Sequence, residues 1–375
     1  MELGKALRVT FVLHEFDRGG SGRVAAYLAR GFADHGMDVE LVVLRKGGEV
    51  EAPLVDLVGE GVAIHYLGPR RWSRAVDLLS CVPKLARHMK QRAPTAIISC
   101  ANNSALVTAL ARKLAGQRQT RLYLKTTNPI ASSRHRGLVR WIRRWSYRRT
   151  FRATDGVWTL SPDETEEMRV AFPESAAIFR DVANPYVTPQ MLAAPSYSDH
   201  PGPYRTILGI GRLTRQKRYE RLIEAFALLR APDLRLSILG EGEERAALTA
   251  LVERLGLGEK VSMPGFVHNV ADAFRGASMM VLPSDYEGLP AVVLEAMSAN
   301  CPVLCTDCFP AARSMLGRTE GCAIIERTDP ASLAALMEQQ LSLPKPVHLR
   351  EIAERYSIAN GIASHIAAMS DHKAA

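Results

Sequence analysis

The sequence has no stretch of about eighteen uncharged apolar residues, the length that a bilayer-crossing helix needs. Residues 1–12 lead directly into a strand pattern, without the apolar core and cleavage site of a secretory signal. Neither a membrane-spanning nor a secreted chain is expected, and the reading places the protein in the cytoplasm. Cysteine is scarce. The six present, Cys81, Cys100, Cys301, Cys305, Cys308 and Cys322, show no disulfide framework, which fits a reducing compartment. Cys301, Cys305 and Cys308 are close enough to raise zinc, but no second ligand pair follows and 301–305 reads as a buried strand, so no metal site is expected. No glycine loop ends in the Lys-Ser/Thr of a P-loop, and no full dinucleotide fingerprint follows a strand, so ATP and nicotinamide chemistry are unsupported. Repeats and low-complexity tracts are missing too.

What is present suits a soluble α/β protein. The chain has 375 residues, 47% hydrophobic and 23% charged, enough for two cores. In the first half the pattern predicts strands over 8–14, 39–44, 96–99, 121–125 and 156–160, with helices over 23–35, 71–92 and 104–115. A stretch rich in proline and turn residues follows 184–185. Alternation then restarts, with strands over 206–210, 235–239, 261–263, 279–282 and 303–306 and helices over 219–230, 243–255, 270–277 and 290–299. The expectation is two doubly wound, Rossmann-like domains over 1–190 and 204–352, facing across a cleft. A linker over 191–203 joins them, and a final helical segment over 353–375 packs back on the first domain. Ligands in such folds sit beyond the carboxyl ends of the strands.

Charge is unevenly spread. The formal net charge is +9, which points to anionic partners. Between Arg134 and Arg152 stand Arg134, Arg136, Arg140, Arg143, Arg144, Arg148, Arg149 and Arg152 without one acid. Leu138, Trp141, Ile142 and Trp145 recur there at helical spacing. Two placements fit: the stripe is buried in a domain core, or the helix lies on an anionic membrane surface. No nucleic-acid-binding motif accompanies the arginines, so nucleic acid is not an expected partner.

Three loops at strand ends carry chemistry. Residues 17–23 place Gly19 and Gly20 at the start of the first helix, where backbone N–H groups can meet a ligand. The loop Gly211-Arg212-Leu213-Thr214-Arg215-Gln216-Lys217-Arg218 crowds cations before a helix, a conflict that a bound anion would relieve. The run 281–297 sets Glu287 and Glu295 around Gly288-Leu289-Pro290, with Pro290 expected at the first helical position. If the span between the glutamates were helical they would lie up to about 12 Å apart, too far for the paired carboxylates of a glycoside hydrolase.

Taken in order, Gly-Arg-Leu-x-x-x-Lys, then Glu-Gly-Leu-Pro, then a second glutamate resembles the retaining GT-B glycosyltransferases of the family-4 type. The resemblance extends through 239–242, 261–267 and 302–307, and more weakly through Gly19-Gly20, Leu160-Ser161 and Asn184-Pro185. It implies a nucleotide diphosphate sugar as donor, a glycan or lipid-linked glycan as acceptor, retention of configuration, and no metal or other cofactor. Catalytic roles fall on Arg212 and Lys217 at the diphosphate and Glu287 at the sugar. Donor contacts fall on Gly20, Gly211, the backbone of Gly288 and Leu289, Glu295 at the ribose, and Gly265, Phe266 and Val267 beside the base. No Asp-x-Asp pair stands at a strand end, in keeping with metal-free transfer. One departure is plain: many relatives carry a histidine after the strand that here runs into Lys125-Thr126-Thr127-Asn128. Lys125, Thr126 or Asn128 takes its place as a sugar contact, or the strand end is simply satisfied within the domain. A nucleotide-sugar epimerase on the same architecture is the competing reading.

Overall fold

The computed structural model describes residues 7–16, 20–46, 52–68, 74–131, 137–193, 204–267, 270–344 and 346–370. The chain divides into two compact units, Met1–Pro185 with Ile358–Ala375, and Tyr186–Ser357.

Runs such as Val9-Thr10-Phe11-Val12-Leu13 are apolar on both faces, as strands covered on both sides by helices must be. The first unit holds seven parallel strands: β1 (Arg8–Leu13), β2 (Asp38–Val43), β3 (Ala63–Tyr66), β4 (Ala96–Ser99), β5 (Arg121–Lys125), β6 (Gly156–Thr159) and β7 (Phe179–Asp181). Their order is β3-β2-β1-β4-β5-β6-β7. The second holds β8 (Arg205–Ile210), β9 (Leu234–Leu239), β10 (Val261–Gly265), β11 (Ala277–Leu282), β12 (Val303–Thr306) and β13 (Cys322–Ile325), ordered β10-β9-β8-β11-β12-β13. Each order reverses once, between β1 and β4 and between β8 and β11. Such a reversal opens a crevice at the carboxyl ends of the two central strands.

The fold differs from expectation in instructive places. Strands β3, β7 and β13 escape the sequence pattern because they are edge strands, only partly buried, and β3 and β7 lack the apolar runs of the central strands. The helix expected over 71–92 is two helices, Arg74–Ser80 and Val82–Arg92, since Pro83 lacks the N–H that would bond back to the preceding turn and is accommodated in the first turn of the second helix. The first crossing between units falls at Pro185–Tyr186, where Tyr186 and Val187 both donate to the Tyr356 carbonyl at 2.9 Å. The return falls at Ser357–Ile358, later than 353, because Ala353 and Tyr356 are buried within the second unit. The helix Ile358–Ser370 belongs to the first unit, where the Arg121 guanidinium and Tyr123 hydroxyl both donate to the Met369 carbonyl at 3.3 Å. Among the described residues no helix is long and apolar enough to cross a membrane.

A charged cluster lies under the carboxyl end of β5. Lys125 is 3% exposed and donates to the Asn184 side-chain oxygen. Glu164, equally buried, accepts from the Leu160 N–H at 2.7 Å and the Thr126 hydroxyl at 3.0 Å. Burial pushes the Glu164 carboxyl up to about 7 and the Lys125 ammonium down to about 8. A raised carboxyl pKa stabilises the native state below the unfolded value, and that contribution disappears as pH rises through 7. A lowered ammonium pKa acts in the other direction, stabilising above the unfolded value and failing as pH falls through 8. Glu164→Gln keeps an accepting oxygen but cannot ionise. Its melting temperature should change less than that of the natural chain between pH 5 and 7, measured by thermal melts. An equal slope in both proteins would remove Glu164 as the titrating group.

Candidate active site

The crevice between β8 and β11 gathers the two polar loops of the second unit. After Ile210 the chain turns through a short 3-10 segment, Arg215–Lys217, into the helix Tyr219–Phe226. After Leu282 it runs as an extended loop to the helix Ala291–Ser298. Lys217 reaches across the crevice, its Nζ 2.7 Å from Glu287 Oε1, with side chains only 14% and 12% exposed. This ion pair joins the ends of the two central strands.

Backbone bonds fix the same joint. The Asp285 N–H donates to the Gln216 carbonyl at 2.8 Å, and the Gln216 side-chain amide donates to the Tyr286 carbonyl at 2.6 Å. Asp285 accepts from Arg218 Nε at 2.8 Å and pairs with Arg221 at 3.0 Å. Arg218 sits in left-handed backbone, φ 54°, which costs a residue with a side chain about 1 kcal/mol and turns the chain into the helix. Two of the loop cations are thus neutralised by neighbours: Arg218 by Asp285 and Glu220, and Arg215 by Glu244 at 3.4 Å. Arg212 is exposed, and its side chain makes no ion pair among the described residues. Arg212 is the cation of this loop without an ion pair among the described residues, while Arg215, though 86% exposed, pairs with Glu244.

The loops after β9 and β12 complete the frame. The Leu213 N–H donates to the Glu241 carbonyl and the Glu244 N–H returns to Leu213, both at 2.9 Å. At Gly240, φ 142°, a Cβ would lie 2.0 Å from the Gly211 carbonyl oxygen, so the two loops lie backbone on backbone. A Cβ at Gly211 would meet the Tyr219 hydroxyl at 2.9 Å and Lys217 Cε at 3.0 Å. Glycine there leaves room for the lysine to reach Glu287. The Tyr219 hydroxyl is raised out of its usual range by burial and by the nearby Glu287 charge. From β12, the Thr306 hydroxyl donates to the Ser284 carbonyl at 2.5 Å, and the Glu287 N–H donates to the Cys308 carbonyl at 2.6 Å. Tyr219, Asp285, Gln216 and Thr306 were not singled out from the sequence. Only Asp285, two residues before Glu287, carried a local signal.

The two glutamates are not on one helix. Pro290 is the N-cap, with ψ 112°, rather than the first helical residue, and Glu287 and Gly288 lie in the preceding loop. A helical rise therefore does not measure their separation. Glu295 is in the second turn and 2% exposed. The Val293 N–H donates to the Pro290 carbonyl at 3.0 Å, and the N–H groups of the first turn have no i−4 partner within the helix. Gly265 ends β10 and accepts from the Gly240 N–H at 2.7 Å; Phe266 beside it is 48% exposed and Val267 half-buried.

In the first unit, Gly20 opens the helix Gly20–Asp34, and a Cβ there would meet nothing within 4 Å. Gly19 lies outside the described residues, as do Arg134 and Arg136. Lys125 and Thr126 are tied to Asn184 and Glu164, which is the satisfied strand end; Asn128 is exposed, its carbonyl accepting from Asn102 at 2.8 Å. One network sequence reasoning missed lies at the carboxyl ends of β1 and β2: buried Arg45 pairs with Glu15 and with Asp77, both at 2.8 Å.

Among the described residues one group has the makings of a metal site: Glu40, His65 and His88, with one ligand atom of each within 4.8 Å of the others. Glu40 already accepts from the Thr10 hydroxyl at 2.6 Å and pairs with His88 at 3.0 Å and Arg92 at 3.5 Å. Burial alone would raise the Glu40 carboxyl, but hydrogen bonds from His88 and Thr10 hold it below its usual range. Glu40 lies near the amino end of β2, away from the strand ends where ligands bind. The cysteines do not form such a group: Cys301 and Cys305 are fully buried, and burial raises both thiols.

Residues 195–358 match the family described as Glycosyl transferases group 1, and residues 19–179 match the Glycosyl transferase 4-like domain. A Campylobacter jejuni N-acetylgalactosamine-N,N'-diacetylbacillosaminyl-diphospho-undecaprenol 4-alpha-N-acetylgalactosaminyltransferase is 38% identical over 120 residues, 32% of this chain and 33% of that protein's length. An uncharacterized glycosyltransferase of Haemophilus influenzae is 25% identical over 85% of this chain and 86% of its own. Among solved structures, the lipopolysaccharide outer core galactosyltransferase WaaB superposes with a TM-score of 0.74 over 97% of this chain and 99% of its own, at 17% identity. Anabaena Alr3699/HepE in complex with UDP and glucose gives 0.73 over 97% and 100%, at 16% identity. These likenesses carry the fold, while the matched families cover both units: the chain belongs to the group 1 glycosyltransferases of GT-B fold.

Proposed function

We propose that the chain moves a sugar from a nucleotide diphosphate donor to a glycan or lipid-linked glycan, with retention of configuration and without a metal. The observation that carries this reading is the Lys217–Glu287 pair at the β8–β11 crevice, beside an exposed Arg212 and a helix start. A diphosphate there takes Lys217 as a point charge, Arg212 as a fork and the N–H groups of Gly288 and Leu289. Lys217 then turns from carboxylate to phosphate, and Glu287 is left to accept from sugar hydroxyls. Glu295 accepts from the ribose, and Gly265, Phe266 and Val267 border the base.

Transfer breaks the bond from the anomeric carbon to the diphosphate oxygen and forms one to the acceptor oxygen on the same face. The acceptor proton passes to the departing phosphate oxygen. Negative charge grows on the diphosphate as the bond breaks, so cations and N–H dipoles placed there lower the barrier more than they tighten the ground state. These groups do the work a metal performs elsewhere. A lipid-linked acceptor is supported by the Campylobacter relative, whose name specifies a diphospho-undecaprenol substrate.

Incubation with UDP-, GDP- and ADP-sugars, read by mass spectrometry, should show hydrolysis or transfer with one nucleotide. No turnover and no binding across the panel would sink the reading, and a product that is only an epimerised nucleotide sugar would replace transfer with epimerisation. Lys217→Ala should lower kcat roughly 100- to 1000-fold, as loss of one charge-stabilising group does. It also leaves Glu287 unpaired, so stability should fall. Lys217→Ala with Glu287→Gln removes both charges; it should regain melting temperature without regaining turnover. A single variant with natural kcat would remove the diphosphate role.

A further inference from the structure

A buried carboxylate of the first unit faces two imidazoles at one edge of its sheet. Glu40 on β2 is 2% exposed. Two residues on, and so on the same face, Val42 registers with His65 of the edge strand β3. The helix Val82–Arg92 brings His88 to the same carboxylate. His88 Nε2 lies 3.0 Å from Glu40 Oε1 and His65 Nε2 lies 3.4 Å from Oε2, with the two rings tilted at 54° and their centroids 4.9 Å apart.

The two carboxylate oxygens are not served alike. Oε1 accepts from the Thr10 hydroxyl at 2.6 Å and also meets His88. Among the described residues Oε2 has only long approaches, from His65 and from Arg92 Nε at 3.5 Å. Arg92 is held by Asp38 instead, and its Nε makes no hydrogen bond. A buried carboxylate oxygen without a close donor is costly, and a bound cation offsets that cost. The edge strand supplies a second reason. Ala63, His65 and Tyr66 are exposed and Ile64 is half-buried, so little apolar burial holds β3 on the domain.

We propose that Glu40, His65 and His88 bind a zinc ion that ties β3 and the helix Val82–Arg92 to β2. Two imidazoles and a carboxylate are a ligand set that zinc takes, with a fourth position for water on the side where the His65 ring is 44% exposed. Ligand atoms of a tetrahedral zinc site stand about 3.3 Å apart. Those of this cluster lie within 4.8 Å of one another, a difference that rotation of the exposed His65 side chain closes. Thr10 holds Oε1 and leaves Oε2 to the ion, which is the outer support that a ligating carboxylate needs. Magnesium and calcium prefer oxygen ligands and match two imidazoles poorly. Glu40 stands near the amino end of β2, so the ion serves the sheet edge and takes no part in transfer at the β8–β11 crevice. Zinc binding and glycosyl transfer can therefore fail separately.

Calorimetric titration of the tag-free, chelator-stripped full chain with zinc tests the site. One equivalent should bind, and free zinc at about a hundredfold excess over Kd should raise the melting temperature by about 5 °C. Magnesium should do neither. His65→Gln and His88→Gln should each weaken zinc binding at least roughly 100-fold, because even the outer partners of a bound metal are worth about 10- to 100-fold. Thr10→Val leaves all three ligands and should weaken it roughly tenfold. His65 is exposed, so the metal-free His65→Gln chain should melt with the metal-free natural chain, which separates lost binding from lost folding. Cobalt in place of zinc should give the visible bands of a four-coordinate site without thiolate charge transfer. The proposal is overturned by the absence of stoichiometric zinc binding, by binding that the histidine variants leave unchanged, which would mean an adventitious ion only, or by a cobalt–thiolate spectrum placing the ion on cysteine.

Discussion

The ion pair of Lys217 with Glu287 couples the two loops on which the second unit's chemistry depends. It sits where the strand order reverses, so no helix covers the carboxyl ends of β8 and β11 and the loops can approach one another. A lysine and a glutamate held largely out of water are stable while paired and costly when separated. Around the pair, Asp285 absorbs Arg218 and Arg221, and Cys308 and Gln216 bind the backbone of the glutamate loop. Most of the surrounding groups are satisfied within the protein, but the buried Tyr219 and Ser284 hydroxyls have no hydrogen-bond partner among the described residues. What the frame leaves for a ligand is a lysine that can change partner, an exposed arginine and a helix start.

Glycine geometry makes that frame possible. Gly240 lies against the Gly211 carbonyl, and Gly211 lies against Lys217 and Tyr219, so the loops after β8 and β9 are stacked closer than side chains permit. The Gly-Arg-Leu and Leu-Gly-Glu-Gly segments are thus parts of one packing arrangement, although about thirty residues separate them in sequence. Lys217 owes its reach to this closeness.

Much of this was legible in the sequence because its signals are local. Apolar runs of five or six residues such as β1 and β11 declare themselves, and so do the cation-rich loop and the Glu-Gly-Leu-Pro turn. Strands β3, β7 and β13 do not, because they lie at sheet edges and are only partly buried, and β3 and β7 carry no continuous apolar run. Nor could the sequence show that Lys125 and Thr126 turn inward. Their partners Asn184 and Glu164 are 59 and 38 residues away, and only the sheet brings them together. The arginine helix was legible as amphipathic but not as to which face is covered. Both faces carry large side chains, and the decision falls to Tyr147 and Phe151, which meet aromatic residues from Phe172 and Phe179.

The central claim is that Lys217 exchanges Glu287 for the donor diphosphate. The most direct measurement is a crystal structure of the chain with the nucleoside diphosphate that its donor panel selects. The account predicts Lys217 Nζ and an Arg212 nitrogen within hydrogen-bond distance of phosphate oxygens, with the lysine drawn off Glu287 Oε1. A diphosphate bound elsewhere, or bound with the Lys217–Glu287 contact still at 2.7 Å and no phosphate oxygen on the lysine, would contradict it.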